Sequence, residues 1–546
     1  MRKAVFRSAV ALLVGLGATT VGCMAALASP TARRPAPETC TPVKCTAPAA
    51  DAKANAILRL ATIGAPGKWD PHNGRSPAQD QIYMSPVYDA LLQLDGEGAV
   101  RPELATSYKM SPDQKSLTLQ LRTGVKFHDG TPFNADAVVA NENYALATGG
   151  LGATLLKANG VTSVTATGPY TVVFTLSAPN PTFPINVAYD YAIGGMVSPT
   201  VLKNNPESLA TTPAGSGPYT LESSNVTTVT YKKVPSYWNV PQWKQLPLKV
   251  QFQQITDDNT RLAAFETGQI DGSYIQLPLA GLDNLIKNSG GNIVKYTSDI
   301  ALGNAEIQLN YKTPALQNVK VRQAMSYAID RKAICDKIFL RLCTPALQPF
   351  SKGTIAYDPK SEWTPASYNP TKARQLLAES GVPGSQLSLT LLSSNEPLIQ
   401  RLSAFLQSQL NSVGFNITLV PVASTLSVTQ WQTGQQDMWV STVSGNPNLN
   451  GLMLDNFITP VRMPGGTDPG LVPVFNRADQ QLLGTKQRAT AFQKVAAYIA
   501  QNAVNIVLGH VPATYLVKSY VGGMDTMVTA QIGIAYQIRY LYVRKH

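Results

Sequence analysis

The chain has 546 residues, of which 44% are hydrophobic and 14% are charged, and its formal net charge is +12 at pH 7. This length suffices for two or three domains, and the composition is that of a globular protein, which excludes a disordered chain. The basic residues are scattered and form no stripe on a predicted helix, so the positive charge does not indicate nucleic-acid binding.

Residues 1–28 have the pattern of a secretory signal peptide. Three basic residues precede the uncharged segment Ala9–Ala28, as such signals require. Two processing sites compete. Cleavage after Ala28 would follow an A-x-A pattern, whereas a segment that resembles a bacterial lipobox would lead to removal of residues 1–22 and lipidation of Cys23. We therefore expect an exported protein, at the cell surface or in the periplasm.

Residues 29–56 are rich in Pro, Ala and Thr and contain almost no large apolar side chain. This composition predicts a flexible tether. A tether would let a globular body stand off a membrane, which favours a lipid anchor on the outer face of the cytoplasmic membrane.

Four cysteines remain after either processing route, in two pairs that are close in sequence. In an exported protein they predict disulfides Cys40–Cys45 and Cys335–Cys343, with free thiols as the alternative. No histidine lies near them in the sequence, so a zinc site is not expected.

Short strand and helix patterns alternate from residue 57 onward. Alternating apolar residues predict strands at 57–64, 116–121 and 167–177. Apolar residues at helical spacing within 321–329 predict a helix with a buried face. These patterns are typical of an α/β protein.

The C-terminal half continues the alternation. Asn369 and Pro370 are suited to begin a helix and Gly381 to end it. Residues 387–420 have the pattern of a strand, a helix and a second strand, which predicts at least one parallel strand pair. A further helix at 489–501 and a strand at 504–508 are predicted near the C-terminus.

The segment 121–139, LRTGVKFHDGTPFNADAVV, carries an adjacent histidine and aspartate. Asp129-Gly130 is suited to a tight turn, and Asn134 is placed to cap a short helix at 135–140. A metal site would need a second histidine at a matching spacing, and the sequence has none there. We therefore interpret His128 as part of a strand, turn and capped helix.

This segment closely resembles a signature of the extracytoplasmic solute-binding proteins of ABC importers, in the peptide, oligopeptide and nickel class known as family 5. Further stretches that resemble the family, in the family's order, are 85–113, 214–223, 235–239, 261–275 and 309–334. Each also has a plain structural interpretation: Gly215-Ser216-Gly217-Pro218, for example, predicts a turn into a strand at 219–222. The resemblance extends from about Leu58 to Met524.

The resemblance implies an α/β fold of the periplasmic-binding-protein type II-like class, with two lobes joined by a hinge and an extra subdomain inserted in the first lobe. The implied parts are 57–96 (lobe 1, first part), 97–213 (inserted subdomain), 214–302 (lobe 1, second part), 303–510 (lobe 2) and 511–546 (return to lobe 1). It also implies that lobe closure captures a solute for the permease subunits of an importer. We expect a monomer without cofactor, metal ion or catalytic residues.

The resemblance also bears on the ligand. In peptide-binding members, a loop after a strand of the second lobe carries an acid that binds the peptide ammonium. The matching segment here is 436–457, which has no acidic residue from Met438 to Leu454. This departure indicates a blocked or modified peptide, a sugar-like solute, or a ligand whose amine binds elsewhere. The alternative is that another loop supplies the acid.

The candidate contact residues are polar or aromatic. In the 436–457 segment they are Ser441, Ser444, Asn446 and Asn448, together with Trp439, for which core packing is an equal alternative; on the first lobe, Trp69 is a candidate stacking wall. A sensory receptor for a signalling peptide, or a binder of a non-peptide solute on the same scaffold, remains an alternative function.

Overall fold

A computed structural model describes residues 51–64, 67–73, 82–94, 99–188, 192–275, 281–297, 301, 303–443, 449–458, 462–524 and 538–544. The predicted signal peptide, the lipidation site Cys23 and the Cys40–Cys45 pair lie outside these residues. The last residues of the predicted tether are docked rather than free, because Lys53 N donates to Val543 O at 2.7 Å. No helix in the described ranges has the length and apolar character to cross a membrane.

The strands fall into two large sheets and several small ones. In chain order they are β1 (Ile57–Thr62), β2 (Leu92–Leu94), β3 (Val100–Pro102), β4 (Ala105–Met110), β5 (Ser116–Leu121), β6 (Val161–Gly168), β7 (Thr171–Leu176), β8 (Tyr219–Ser224), β9 (Thr228–Lys233), β10 (Lys249–Gln254), β11 (Gly272–Ile275), β12 (Ile293–Thr297), β13 (Gly303–Leu309), β14 (Thr344–Pro345), β15 (Ser388–Ser394), β16 (Asn416–Val422), β17 (Met438–Val443), β18 (Ile506–Val511), β19 (Thr514–Lys518), β20 (Val521–Gly522) and β21 (Tyr542–Val543).

The α-helices range from single turns to 17 residues. They are α1 (Ala135–Thr148), α2 (Leu151–Ala158), α3 (Phe183–Asn186), α4 (Pro199–Asn204), α5 (Val240–Gln245), α6 (Asp258–Glu266), α7 (Leu282–Asn288), α8 (Pro314–Gln317), α9 (Val319–Ala328), α10 (Arg331–Ala333), α11 (Pro370–Ser380), α12 (Pro397–Asn411), α13 (Ser427–Gln432), α14 (Leu449–Met453), α15 (Leu471–Asp479) and α16 (Lys486–Asn502).

Each lobe is built on one large mixed sheet. The first sheet has the order β12-β19-β11-β1-β10-β9-β8, and the second has the order β14-β18-β13-β17-β15-β16. A separate four-stranded sheet, β4-β5-β7-β6, belongs to the stretch between β1 and β8. The architecture is therefore α/β, with two lobes and an extra subdomain within the first.

Local sequence signals account for many of these elements. Lys372 N donates to the Asn369 side chain at 2.9 Å, and Gly381 has a φ of 68°, so α11 begins and ends as predicted. The strand, helix and strand predicted at 387–420 are β15, α12 and β16, and β15 pairs with β16 in parallel. These predictions are confirmed because capping and alternation act within a few residues.

The 121–139 segment forms the predicted turn and capped helix. Gly130 has a φ of 86°, and Ala137 N donates to the Asn134 side chain at 2.9 Å. The helix extends to Thr148, well beyond the short helix predicted at 135–140. His128 Nε2 lies 2.8 Å from Gly217 O, so its ring contacts the backbone of a distant loop. Burial lowers the pKa of His128.

Several of the family-like stretches meet at one buried carboxylate. Asp89 accepts hydrogen bonds from Ser216 Oγ at 2.9 Å, Tyr237 OH at 2.7 Å and Trp238 Nε1 at 2.8 Å. It also accepts from Arg539 Nη1 at 2.8 Å, near the C-terminus. The carboxylate is fully buried, so it ties distant parts of the first lobe together around a charge that needs those donors.

Two neighbouring segments carry the chain between the lobes. One follows β12 and leads into β13, and the other follows β18 and leads into β19. Thr297 pairs with Thr514 on the first-lobe side, and Gly303 pairs with Val511 on the second-lobe side. The two crossings therefore begin and end on paired strands and carry the chain in opposite directions, which is the arrangement of a hinge.

Cys335 and Cys343 are joined by a disulfide, with their Cα atoms 5.1 Å apart. The bond packs against Gly509 on β18, where an added Cβ would lie 3.0 Å and 3.2 Å from the two sulfur atoms. Glycine at this position therefore allows the disulfide loop to approach the strand that leads to the hinge.

A candidate ligand site on the second lobe

Strand β13 presents a different chemistry on each of its faces. Ala305, Ile307 and Leu309 belong to the hydrophobic core of the second lobe. The alternate residues Asn304, Glu306 and Gln308 project from the opposite side. We call these three residues the polar face of β13. Each of them is at most 2% exposed, which is unusual for a carboxylate and two amides on one strand.

The neighbouring strand β17 continues this surface. Glu306 pairs with Ser441, and Gln308 pairs with Trp439, in the antiparallel register of β13 and β17. The Trp439 ring lies 5.9 Å from the Trp431 ring, between their centroids, and packs in a small apolar cluster that includes both. Trp439 therefore sits on the same side of the sheet as the polar face, away from the main core.

Arg462 lies against both predicted contact residues on β17. Its Nη1 donates to Ser441 Oγ at 3.2 Å, and its guanidinium carbon is 5.3 Å from the centroid of the Trp439 ring. The backbone of Arg462 accepts a hydrogen bond from Trp431 Nε1 at 2.6 Å. A cation stacked on an indole and bonded to a hydroxyl has a defined position, which suits the recognition of an anionic group.

Glu306 is the acidic member of this arrangement. One carboxylate oxygen accepts a hydrogen bond from Gln308 Nε2 at 3.0 Å, and the other oxygen accepts none from the described residues. Burial raises the pKa of Glu306 to about 7, against the lowering effects of the Gln308 hydrogen bond and the Arg462 charge. Asn304 Oδ1 and Gln308 Oε1 also lack a hydrogen-bond partner among the described residues.

The predicted contact residues do not all lie at one site. Trp439 and Ser441 lie together beside the polar face, whereas Ser444, Asn446 and Asn448 lie outside the described residues. The stacking role predicted for Trp69 does not fit this conformation. Trp69 is 3% exposed, and its ring packs edge-on against Tyr83 and Tyr231 in the core of the first lobe. The prediction was wrong because these contacts depend on tertiary packing, which the sequence around Trp69 does not reveal.

The sequence predictions missed Glu306, Gln308 and Arg462. A signal for the first two exists in residues 304–309, NAEIQL, where polar and apolar residues alternate. That alternation predicts a strand with one polar face, but it does not tell whether the face is solvated or buried. Arg462 has no comparable local signal, since its contacts depend on a chain reversal that returns it to β17.

Comparison with known proteins identifies the family. Residues 99–464 match the family described as "Bacterial extracellular solute-binding proteins, family 5 Middle". The chain belongs to this family. The match spans the inserted subdomain, the hinge segment before β13 and the polar face with Arg462.

Individual relatives agree with this assignment. The chain is 33% identical to the glutathione-binding protein GsiB of Shigella flexneri over 347 residues, which are 63% of this chain and 65% of that relative. The solved structure of the ABC transporter substrate-binding protein CtaP from Listeria monocytogenes has a TM-score of 0.75 at 22% identity, and covers 90% of this chain and 100% of that chain.

A second solved structure is the periplasmic binding protein DppA from Helicobacter pylori in complex with the peptide STSA. It has a TM-score of 0.72 at 21% identity, and covers 90% of this chain and 99% of that chain. These likenesses establish that the fold is of the periplasmic-binding-protein type II-like class.

Proposed function

We propose that this protein is the solute-binding component of an ABC importer, which captures a ligand by lobe closure and delivers it to permease subunits in the membrane. The observation that carries the proposal is that the two connections between the sheets begin and end on paired strands. Lobes joined through neighbouring strands can rotate about them while each core keeps its packing. Such a rotation encloses a solute and later releases it.

The ligand we propose is a peptide-like or modified-peptide molecule. One relative is named for glutathione binding, and one solved structure of the same fold holds a peptide. Beside β13 and β17, a carboxylate from Glu306 and a guanidinium from Arg462 lie on the same side of one sheet. These groups are complementary to the amino and carboxyl groups that a peptide-like ligand carries.

We further propose that the protein works outside the cytoplasm, as a monomer anchored by lipid at Cys23. The basic and apolar segments at the N-terminus and the Pro/Ala/Thr-rich stretch after them support this location. Mass spectrometry of the mature N-terminus tests it. A diacylglycerol adduct on Cys23 is the expected result, whereas a chain that begins at Ser29 would contradict the anchor.

Native mass spectrometry of the full protein as purified tests the ligand class. We expect a bound species that, once released, has the mass and fragmentation of a peptide or a modified peptide. Recovery of a sugar, or of another solute without an amide bond, would contradict the peptide-like class and favour the non-peptide alternative. The released ligand should be chemically intact, because no catalytic step is proposed.

A deletion strain separates transport from sensing. We expect the deletion to abolish uptake of the ligand identified by mass spectrometry, in labelled form, and re-expression of the wild-type chain to restore it. If uptake continues while the transcriptional response to the ligand is lost, the receptor alternative is correct and the transport proposal is wrong.

A further inference from the structure

The acid at the start of the 436–457 segment, Asp437, is already engaged in the scaffold. Asp437 accepts hydrogen bonds from Thr313 Oγ1 at 2.6 Å, and from Thr390 N and Thr390 Oγ1 at 2.8 Å each. These bonds tie β17 to its neighbours at the start of the strand. After Asp437, no acidic residue occurs in the sequence until Asp455. An acid that recognises a ligand amine at β17 must therefore come from another element.

Glu306 meets this requirement by its position. It is the direct cross-strand partner of Ser441, so its side chain projects from the same side of the sheet as Ser441 and Trp439. Antiparallel partners have Cβ atoms about 4.5–5.5 Å apart, so the carboxylate and the Ser441 hydroxyl are immediate neighbours. The acid that the 438–454 segment lacks is thus present one strand away.

The polar face of β13 carries hydrogen-bond acceptors that lack donors in the described part of the chain. Glu306 Oε2, Gln308 Oε1 and Asn304 Oδ1 are all acceptors, all are buried, and none receives a hydrogen bond from the described residues. Buried acceptors are almost always paired, so several unpaired acceptors on one strand indicate a partner that brings N–H or O–H donors. An ammonium group and peptide amides are donors of this kind.

The carboxylate of Glu306 favours a positively charged donor over a neutral one. Burial raises the pKa of Glu306 to about 7, although the charge of Arg462, which donates to Ser441 and stacks on Trp439, acts in the opposite direction. A protonated amine would add a direct charge-assisted hydrogen bond to that carboxylate, which is stronger than a bond from a neutral donor. A buried carboxylate without a partner is costly, and a cationic donor at its free oxygen would offset that cost.

We propose that Glu306 is the specificity-determining acid of the ligand site and that its free carboxylate oxygen binds a protonated primary amine of the ligand, with Asn304 and Gln308 accepting neighbouring N–H groups. This assignment rests on the proposed peptide-like function and deepens it. Glu306 is fully buried in this conformation, so the amine reaches it only when side chains at this face move. Association is therefore slower than simple diffusion allows.

Isothermal titration of the purified full chain tests the assignment with two pairs of probes. The probes are glutathione and trialanine, each with its amino group free and in its N-acetylated form. We expect at least one free-amine probe to bind, and its acetylated form to bind at least tenfold more weakly. This comparison uses the wild-type protein alone, so it does not depend on how any variant folds.

The Glu306→Gln variant then identifies the acid. It should bind the free-amine probe at least tenfold more weakly than the wild type and the acetylated probe with unchanged affinity, so that the preference for the amine disappears. Glu222→Gln is the matched control, because Glu222 is an exposed carboxylate paired with Lys249 at 2.6 Å on the first lobe. It should keep the wild-type preference.

Three outcomes would overturn the assignment, and they differ in what they say about function. Equal binding of the free and acetylated forms would remove the role of Glu306 while leaving a peptide-like ligand in place. An amine preference that persists in Glu306→Gln would assign that role to a different acid. No binding of any probe, combined with a non-peptide cargo in native mass spectrometry, would overturn both the assignment and the proposed ligand class.

Discussion

Replacement of Asp89 by alanine should destabilise the first lobe more than any surface substitution. The side chain is fully buried and accepts hydrogen bonds from Ser216, Tyr237, Trp238 and Arg539. Removing the carboxylate leaves the three neutral donors without this acceptor and takes one of two carboxylates away from the Arg539 guanidinium. Breaking a buried ion pair by removing one partner costs about 3–5 kcal/mol, and we expect a loss in this range.

Urea unfolding, monitored by tryptophan fluorescence and circular dichroism, measures this loss. Because the two lobes can unfold in separate transitions, the free energy should be taken from the transition that Asp89→Ala shifts. Glu222→Ala is the control, since an exposed ion pair is worth only about 0–1 kcal/mol. If the two variants lose the same free energy, the Asp89 network does not stabilise the lobe and our explanation of the family-like stretches is wrong.

Three further predictions concern stability. Glu142 is fully buried and neither of its carboxylate oxygens has a hydrogen-bond partner among the described residues, so burial raises its pKa well above the usual value. The folded state then holds a proton that the unfolded chain releases, and the free energy of unfolding falls as the pH rises above about 4.5. Glu142→Gln should make the unfolding free energy less dependent on pH between pH 5 and 8, and an unchanged dependence would contradict this explanation. Cys335→Ser should cost about 2–3 kcal/mol, because the disulfide closes a loop with a sequence separation of 8, and reducing agent should then destabilise that variant less than it destabilises the wild type. Asn369→Ala should cost about 1 kcal/mol through loss of the α11 cap, and a serine at the same position should restore most of it.

The sequence was most informative where a structure depends on a few consecutive residues. The start of α11 follows from Asn369 and Pro370, since a side-chain acceptor and a preset φ satisfy the first turn locally. The parallel pairing of β15 with β16 follows from the helix between them, because a crossover of that length returns the chain in the same direction. The resemblance to family 5 extended these local inferences to the two-lobe fold.

Helix α1 is longer than the helix predicted from the sequence. Asn134 marks its beginning, but the helix continues to Thr148, past the six residues predicted. Its continuation depends on burial of Asn141 and Ala145 against the rest of the subdomain. The helix ends at Gly149, which has a φ of 72° and donates its backbone N–H to Ala145 O, so the end of α1 also carries a local signal that the shorter prediction overlooked.

The sequence by itself determined the fold class, the main strands and helices, and the absence of an acid in the 438–454 segment. The tertiary structure decided which side chains share a site. Trp69 lies in the core of the first lobe. Glu306 lies beside Ser441, although 135 positions separate these two residues in the chain. The physical reason is that strand alternation determines which residues share a face, whereas the neighbour of that face is set by sheet order and register, which connect residues far apart in sequence.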